Sequence, residues 1–181
     1  MKRLSQVRSL QALIEEIRDC TGRLHGELRN FSFNAEMDAG PNYLPEHFQA
    51  EEVVPPNVFR EFGARNSLWF LDSRILWTLD AIRERFGKPL IVNDWLWGGG
   101  LSMRGFRPPG SVTGSDMSQH RFGRAVDFNI QGIPAGDVRA EIRRHPSDPA
   151  FSYITAVEEA VDWVHIDCRT TEQDKILWFN P

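Results

Sequence analysis

Ser118-Gln119-His120-Arg121-Phe122-Gly123-Arg124-Ala125-Val126-Asp127-Phe128-Asn129-Ile130 reads as a turn around Gly123 that feeds a strand over 124–130. It carries His120 and Asp127 seven residues apart, and the turn between them suits bringing both side chains to one point. A second stretch, Asp162-Trp163-Val164-His165-Ile166-Asp167, alternates as a strand. That alternation puts Trp163, His165 and Asp167 on one face and Val164 and Ile166 on the other. If the two strands are neighbours, Asp127 and His165 face each other. Two imidazoles and one carboxylate are the ligand set of a catalytic zinc site with an open fourth position.

Asp127 lies within Ala125-Val126-Asp127-Phe128 and His165 within Val164-His165-Ile166, polar residues inside apolar runs. Burial there is costly unless each finds a partner. A shared cation satisfies all three residues, and so does an ordinary hydrogen-bonded place in the core. Residue types alone leave both readings open.

Outward from these strands the pattern is mixed. Leu68, Leu71, Ile75, Leu79, Ile82 and Phe86 form an apolar stripe at helical spacing. This predicts a central core helix, N-capped by Asn66 or Ser67 and stopped by Gly87 ahead of Pro89. Leu90-Ile91-Val92 reads as a short buried strand opening into a Gly-rich, aromatic loop over 95–100. That loop runs on to about Met117 and holds Arg104 and Arg107. A short helix is predicted over 134–145, strands over 153–157 and 163–168, and a last edge strand over 176–179. Near the N-terminus, Leu4, Val7, Leu10, Leu13, Ile14 and Ile17 mark an amphipathic helix, for packing or for docking a partner. Residues 34–56, rich in Gly, Pro and acidic side chains, read as an irregular connector. The order predicts an α+β fold, with helices packed on a largely antiparallel sheet.

The 181 residues, 41 % hydrophobic, suffice for one domain with a real core and are too few to expect two. The 21 basic and 25 acidic side chains are spread along the chain, so no basic block follows a phosphate backbone and nucleic acid is not an expected partner. Cys20 and Cys168 are the only cysteines, which excludes a disulfide framework. No apolar run has the length of a signal core or a membrane span, so synthesis in a cytoplasm is expected.

Ser-x-His-x-x-Gly-x-Ala-x-Asp is met by Ser118, His120, Gly123, Ala125 and Asp127, and Trp-x-His-x-Asp by Trp163, His165 and Asp167. Together they resemble the signature of the M15 zinc murein peptidases, which include D-Ala-D-Ala carboxypeptidases, VanX-type dipeptidases and phage endolysins of the Hedgehog/DD-peptidase fold. The likeness runs from about Tyr43 to the C-terminus. It therefore implies a peptidase domain over 43–181, preceded by an N-terminal helix and connector over 1–42.

The resemblance implies that His120, Asp127 and His165 bind Zn2+. Asp162, three residues before the last ligand, takes the place of the acid that serves as base and then acid, with Glu158 or Glu159 as alternatives. Arg104-Gly105-Phe106-Arg107 is the nearest match to the family's Ser-Gly-Tyr-Arg phrase, with Arg104 in place of Ser. That makes Arg107 the candidate cation for an oxyanion or a substrate carboxylate, a surface arginine being the alternative. Ser118 and Gln119 are expected to orient His120, and Asp167 to orient a ligand or pair with an arginine. His25, His47 and His145 are expected to face solvent. Trp95, Trp97 and Phe106 either wall a substrate pocket or pack in the core or a lid.

The function so implied is a zinc peptidase cutting a peptidoglycan stem-peptide bond, of D,D-carboxypeptidase or L-Ala-D-Glu endopeptidase type. The likeness also implies a phage origin, with the enzyme acting at the bacterial cell wall after release or in the virion. The alternative is a non-catalytic virion protein that keeps the fold and assembles through its N-terminal helix.

Overall fold

The computed structural model describes residues 43–172 and 175–181. The helix expected from Leu4 to Ile17, His25 and residues 34–42 of the connector lie outside them. The elements are α1 (Ala50–Val53), α2 (Pro56–Ser67), α3 (Ser73–Phe86), β1 (Leu90–Ile91), β2 (Ala125–Ile130), α4 (Ala135–Arg144), β3 (Ala156–Glu158), β4 (Val164–Asp167) and β5 (Leu177–Phe179). The five strands form one sheet in the order β1-β2-β4-β3-β5, antiparallel except for the β3–β5 pair. The α+β expectation holds.

Helix α3 is the central helix, with Ile75, Leu76, Leu79 and Ile82 buried. It stops at Gly87 as the sequence indicates, in left-handed backbone (φ 58°) whose N–H closes on Arg83 and Glu84. Its start is corrected: the N-cap is Asp72, whose carboxylate accepts from Arg74 N at 3.0 Å. Ser67 instead donates its hydroxyl back to Gly63 O at 2.7 Å, and residues 68–70 form a single 3-10 turn. Leu68 and Leu71 are still buried, from outside the helix.

Two helices replace the end of the expected connector and the stretch after it. Gln49 and Glu52 cap α1 reciprocally, and α2 follows with Pro56 in its first turn. Its period is broken at Gly63, where the backbone leaves helical angles, so it carries no continuous apolar stripe to read. The aromatic loop also has local order. Trp95–Trp97 is a 3-10 turn, and Asp94 and Leu101 bond to each other to close the loop. The strand expected over 153–157 begins at Ala156, because a 3-10 turn at Pro149–Phe151 occupies the chain before it.

Strand alternation divides the sheet's two faces. Val126, Phe128, Val164 and Ile166 join the core with Ile75, Leu79, Val138 and Ile142. Asp127, His165 and Asp167 alternate onto the opposite face. The register sets Asp127 directly against His165, as the two strand patterns imply.

Candidate metal centre

His120, Asp127 and His165 are buried and lie together on that face. His120 comes from the 3-10 turn Gln119–Phe122, which ends at Gly123 and leads into β2. His120 Nε2 is 3.3 Å from His165 Nδ1 and 3.2 Å from Asp127 Oδ1, and His165 Nδ1 is 2.7 Å from the same oxygen. A tetrahedral ion with bonds of about 2.0–2.1 Å separates its ligands by roughly 3.3 Å. Two of the three edges already have that length, and the third opens by about half an ångström to match. The donor set therefore fits a metal ion.

Each candidate ligand is held from behind. His120 Nδ1 is 2.8 Å from Gly105 O, which fixes that nitrogen as the donor and turns Nε2 toward the cluster. His165 Nε2 meets Asp167 Oδ2 at 3.3 Å, leaving Nδ1 inward. Asp127 Oδ2 accepts from Arg107 Nη2 at 2.8 Å while Oδ1 faces the imidazoles. Asp167 is fully buried and is gripped by the Arg169 guanidinium. It pairs with an arginine and supports His165, the two roles open to it in the sequence.

The segment 104–107 builds this cradle. Arg104 O accepts from Asp127 N at 2.7 Å, Arg107 N donates to His120 O at 3.1 Å, and Phe106 N donates to Val53 O at 2.9 Å. Gly105 passes so close to α1 that a Cβ there would sit 1.9 Å from Val53 O. No side chain fits, and the Gly in Arg-Gly-Phe-Arg has a steric cause. The Arg107 side chain also bonds Met103 O through Nε.

Electrostatics follow from these contacts. Burial opposes the Asp127 charge, but hydrogen bonds from His120 and His165 hold its carboxyl well below the usual range. Burial likewise opposes charge on His165, yet its bonds to Asp127 and Asp167 prevail and hold it up at about 9. His120 is pushed down, chiefly by burial. Arg107 is drawn down by burial although Asp127 faces it. A divalent cation would take the place of the proton between His165 and Asp127.

The remaining sequence candidates divide. Asp162 is exposed, in the turn before β4 and outside the cluster. That turn is clamped through three carbonyls, since Arg139 donates to Val161 O and Trp163 O and Asn129 Nδ2 to Asp162 O. Glu159 is paired with Arg143, whereas Glu158 lies near enough to Arg107 and Arg169 to influence both. Ser118 O accepts from Arg121 N and so shapes the turn bearing His120, while Gln119 Oε1 is buried with no partner among the described residues. His47 and His145 are exposed, as expected.

Phe106 is buried and stacked on Phe70, and Trp95 packs on Phe59 with its N–H on Val54 O. Both take the packing role, and Trp97 is exposed. Sequence reasoning did not single out Gly105, Asn129, Arg139 or Arg169. Gly105 had a visible signal inside the Arg-Gly-Phe-Arg phrase, while the others became visible only with strand pairing. A groove of about 700 Å3 between α4 and β5, lined by Ile142, Phe151 and Trp178 among others, contains none of the cluster residues.

A family model described as Peptidase M15 matches residues 46–167, more than half of the chain and inclusive of every cluster residue. No curated protein and no solved structure matches it.

Proposed function

The chain belongs to the peptidase M15 family, and from that premise we propose that it is a zinc-dependent peptidase hydrolysing a stem-peptide bond of bacterial peptidoglycan. The observation that carries this reading is the buried His120, Asp127 and His165 cluster, each member with its own outer partner. When bound there, zinc supplies Lewis acidity, polarising a carbonyl and lowering the pKa of water toward about 7.

The protein's own groups supply the rest. Asp127 and the two inward nitrogens would hold the ion, and Gly105 O, Asp167 and Arg107 keep those three donors aimed. Asp162 accepts the proton of the attacking water on its carboxylate and delivers it to the leaving amine. Its turn is anchored by Arg139 and Asn129, which limits the carboxylate's wandering. Arg107, paired with Asp127 through Nη2 and bonded to Met103 O through Nε, offers its remaining N–H groups to the charge that develops on the carbonyl oxygen. Among the described residues no helix is long and apolar enough to cross a membrane.

The test is metal analysis of the purified protein combined with mass spectrometry of fragments released from purified sacculi. One tightly bound zinc per chain and a defined stem-peptide product are expected. Asp162→Asn should keep the zinc and lose about 10²- to 10⁴-fold in rate. Full zinc with no product from any wall would sink the peptidase reading in favour of a structural virion role. Cleavage by rigorously metal-free protein would sink the zinc assignment.

A further inference from the structure

We propose that Arg104 is a specificity residue, binding a substrate carboxylate one to two residues from the scissile carbonyl. The inference rests on the peptidase reading above and deepens it. Arg104 occupies the first position of the Arg-Gly-Phe-Arg cradle, with its carbonyl on Asp127 N. Its side chain runs along the sheet face that carries the metal cluster. Nη1 donates to Asn129 Oδ1 at 2.5 Å, and the guanidinium lies 5.8 Å from the centre of the Trp163 ring. Asn129 is two residues beyond Asp127 on β2 and so shares its face, and Trp163 lies in the bend that leads into β4.

Its charge is what sets Arg104 apart. Arg107 and Arg169, also at the site, are each ion-paired with a carboxylate, Asp127 and Asp167 respectively. Arg104 is half-buried, bonds a neutral amide, and meets no carboxylate among the described residues. A partly buried cation without a counterion attracts one, and a guanidinium with free N–H groups takes a carboxylate in forked geometry. The indole N–H of Trp163 is also buried without an acceptor among the described residues, a second donor in the same patch.

Spacing defines the ligand. Two residues of strand span roughly 6.6 Å, and an extended peptide advances about 3.3–3.6 Å per residue. A carboxylate at Arg104 therefore belongs to the residue next to, or one beyond, the residue whose carbonyl reacts. In a stem peptide that is either the C-terminal carboxylate or the free carboxylate of D-Glu.

The experiment uses the full, zinc-loaded chain and matched stem peptides in which one carboxylate at a time is converted to carboxamide, at the C-terminus or at D-Glu. The wild type should favour the acid over the amide at one of these places by about 10- to 100-fold in kcat/KM, mostly through KM. The place identifies the carboxylate. Arg104→Gln should lose that factor on the acid form and leave the amide form unchanged, and Arg104→Lys should recover part of it. Equal losses on both forms would mean that Arg104 only orients Asn129 and the turn bearing Asp162, and would overturn the proposal. So would unchanged discrimination in Arg104→Gln. If the wild type cuts none of the peptides, the peptidase reading fails, and Arg104 is then judged by titrating the same peptides against tryptophan fluorescence. Tighter binding of the acid form in the wild type, lost in Arg104→Gln, supports it, and equal binding of acid and amide overturns it.

Discussion

Gly105→Ala is the most searching perturbation of the site, because the residue touches no substrate and binds no metal. A Cβ on Gly105 would lie 1.9 Å from Val53 O, a backbone atom at the end of α1 that cannot swing aside. An ordinary C···O contact is about 3.3 Å, so the segment must retreat by roughly 1.4 Å. Two hydrogen bonds start from this point: Phe106 N to Val53 O at 2.9 Å, and His120 Nδ1 to Gly105 O at 2.8 Å. A retreat along the second would lengthen it to roughly 4.2 Å, past any useful hydrogen bond. His120 then loses the contact that fixes its tautomer and ring orientation. The expected cost is about 10- to 100-fold in zinc affinity, read by competition with a chromophoric chelator. Overpacking adds about 1–3 kcal/mol of destabilisation in urea unfolding. Gly136→Ala is the matched control, since among the described residues nothing beyond its neighbours in the helix lies within 4 Å of its added methyl. Wild-type zinc affinity and an unchanged unfolding midpoint in Gly105→Ala would refute the cradle reasoning.

The other predictions concern the same chain under simpler changes. Gly136→Ala itself, in the first turn of α4 with ordinary helical space around it, should raise stability by about 0.5–1 kcal/mol in the same urea titration. Asp72→Ala removes the cap of α3 and should cost about 1–2 kcal/mol near neutral pH. Burial works to raise the Asp72 carboxyl, but bonds from the Arg74 guanidinium and backbone outweigh it and set it below the usual range. Its native value thus lies under its unfolded one, so its contribution is complete above about pH 4 and fades as pH falls through the native value. Melting curves of both proteins should converge in acid, and a constant gap would contradict this. Cys168 is fully buried, and burial pushes its thiol up to about 12. In a Cys20→Ser background, a thiol reagent at pH 8 should react only after denaturant is added. Chelation should lower the melting temperature, and zinc but not magnesium should restore it, because two imidazoles and a carboxylate suit the softer ion.

The end of α3 was legible and its start was not, for a local reason. Gly87 followed by Pro89 leaves the chain little choice, whereas Asn66, Ser67 and Asp72 are all competent caps by residue type. Ser67 was removed from the competition by a hydrogen bond to Gly63 O, within a kinked helix that gave no periodic signal. Helices α1 and α2 escaped notice for a related reason, being short or broken, with Pro and acidic residues also at home in a loop. Glu159, open as a base in sequence, is engaged by Arg143, which narrows the rivals of Asp162 to Glu158.

The sequence by itself determined the face of the sheet that Asp127 and His165 share, and the register of β2 on β4 then set them opposite each other. Both sit in strands of period two whose apolar partners must face the core, so their own side chains must face away from it. It also indicated that His120 arrives by a turn around Gly123, and the family resemblance named these three residues as the candidate ligand set. Only the tertiary structure decided what surrounds that set. The loop after β1 has no period to read, and it returns to the sheet through single contacts, Arg104 O on Asp127 N and Gly105 O on His120. Such contacts depend on where α1 stands against the loop, and no local pattern encodes that distance. The difference between two arginines three residues apart, one ion-paired with Asp127 and the other meeting no carboxylate among the described residues, is therefore a property of the folded chain.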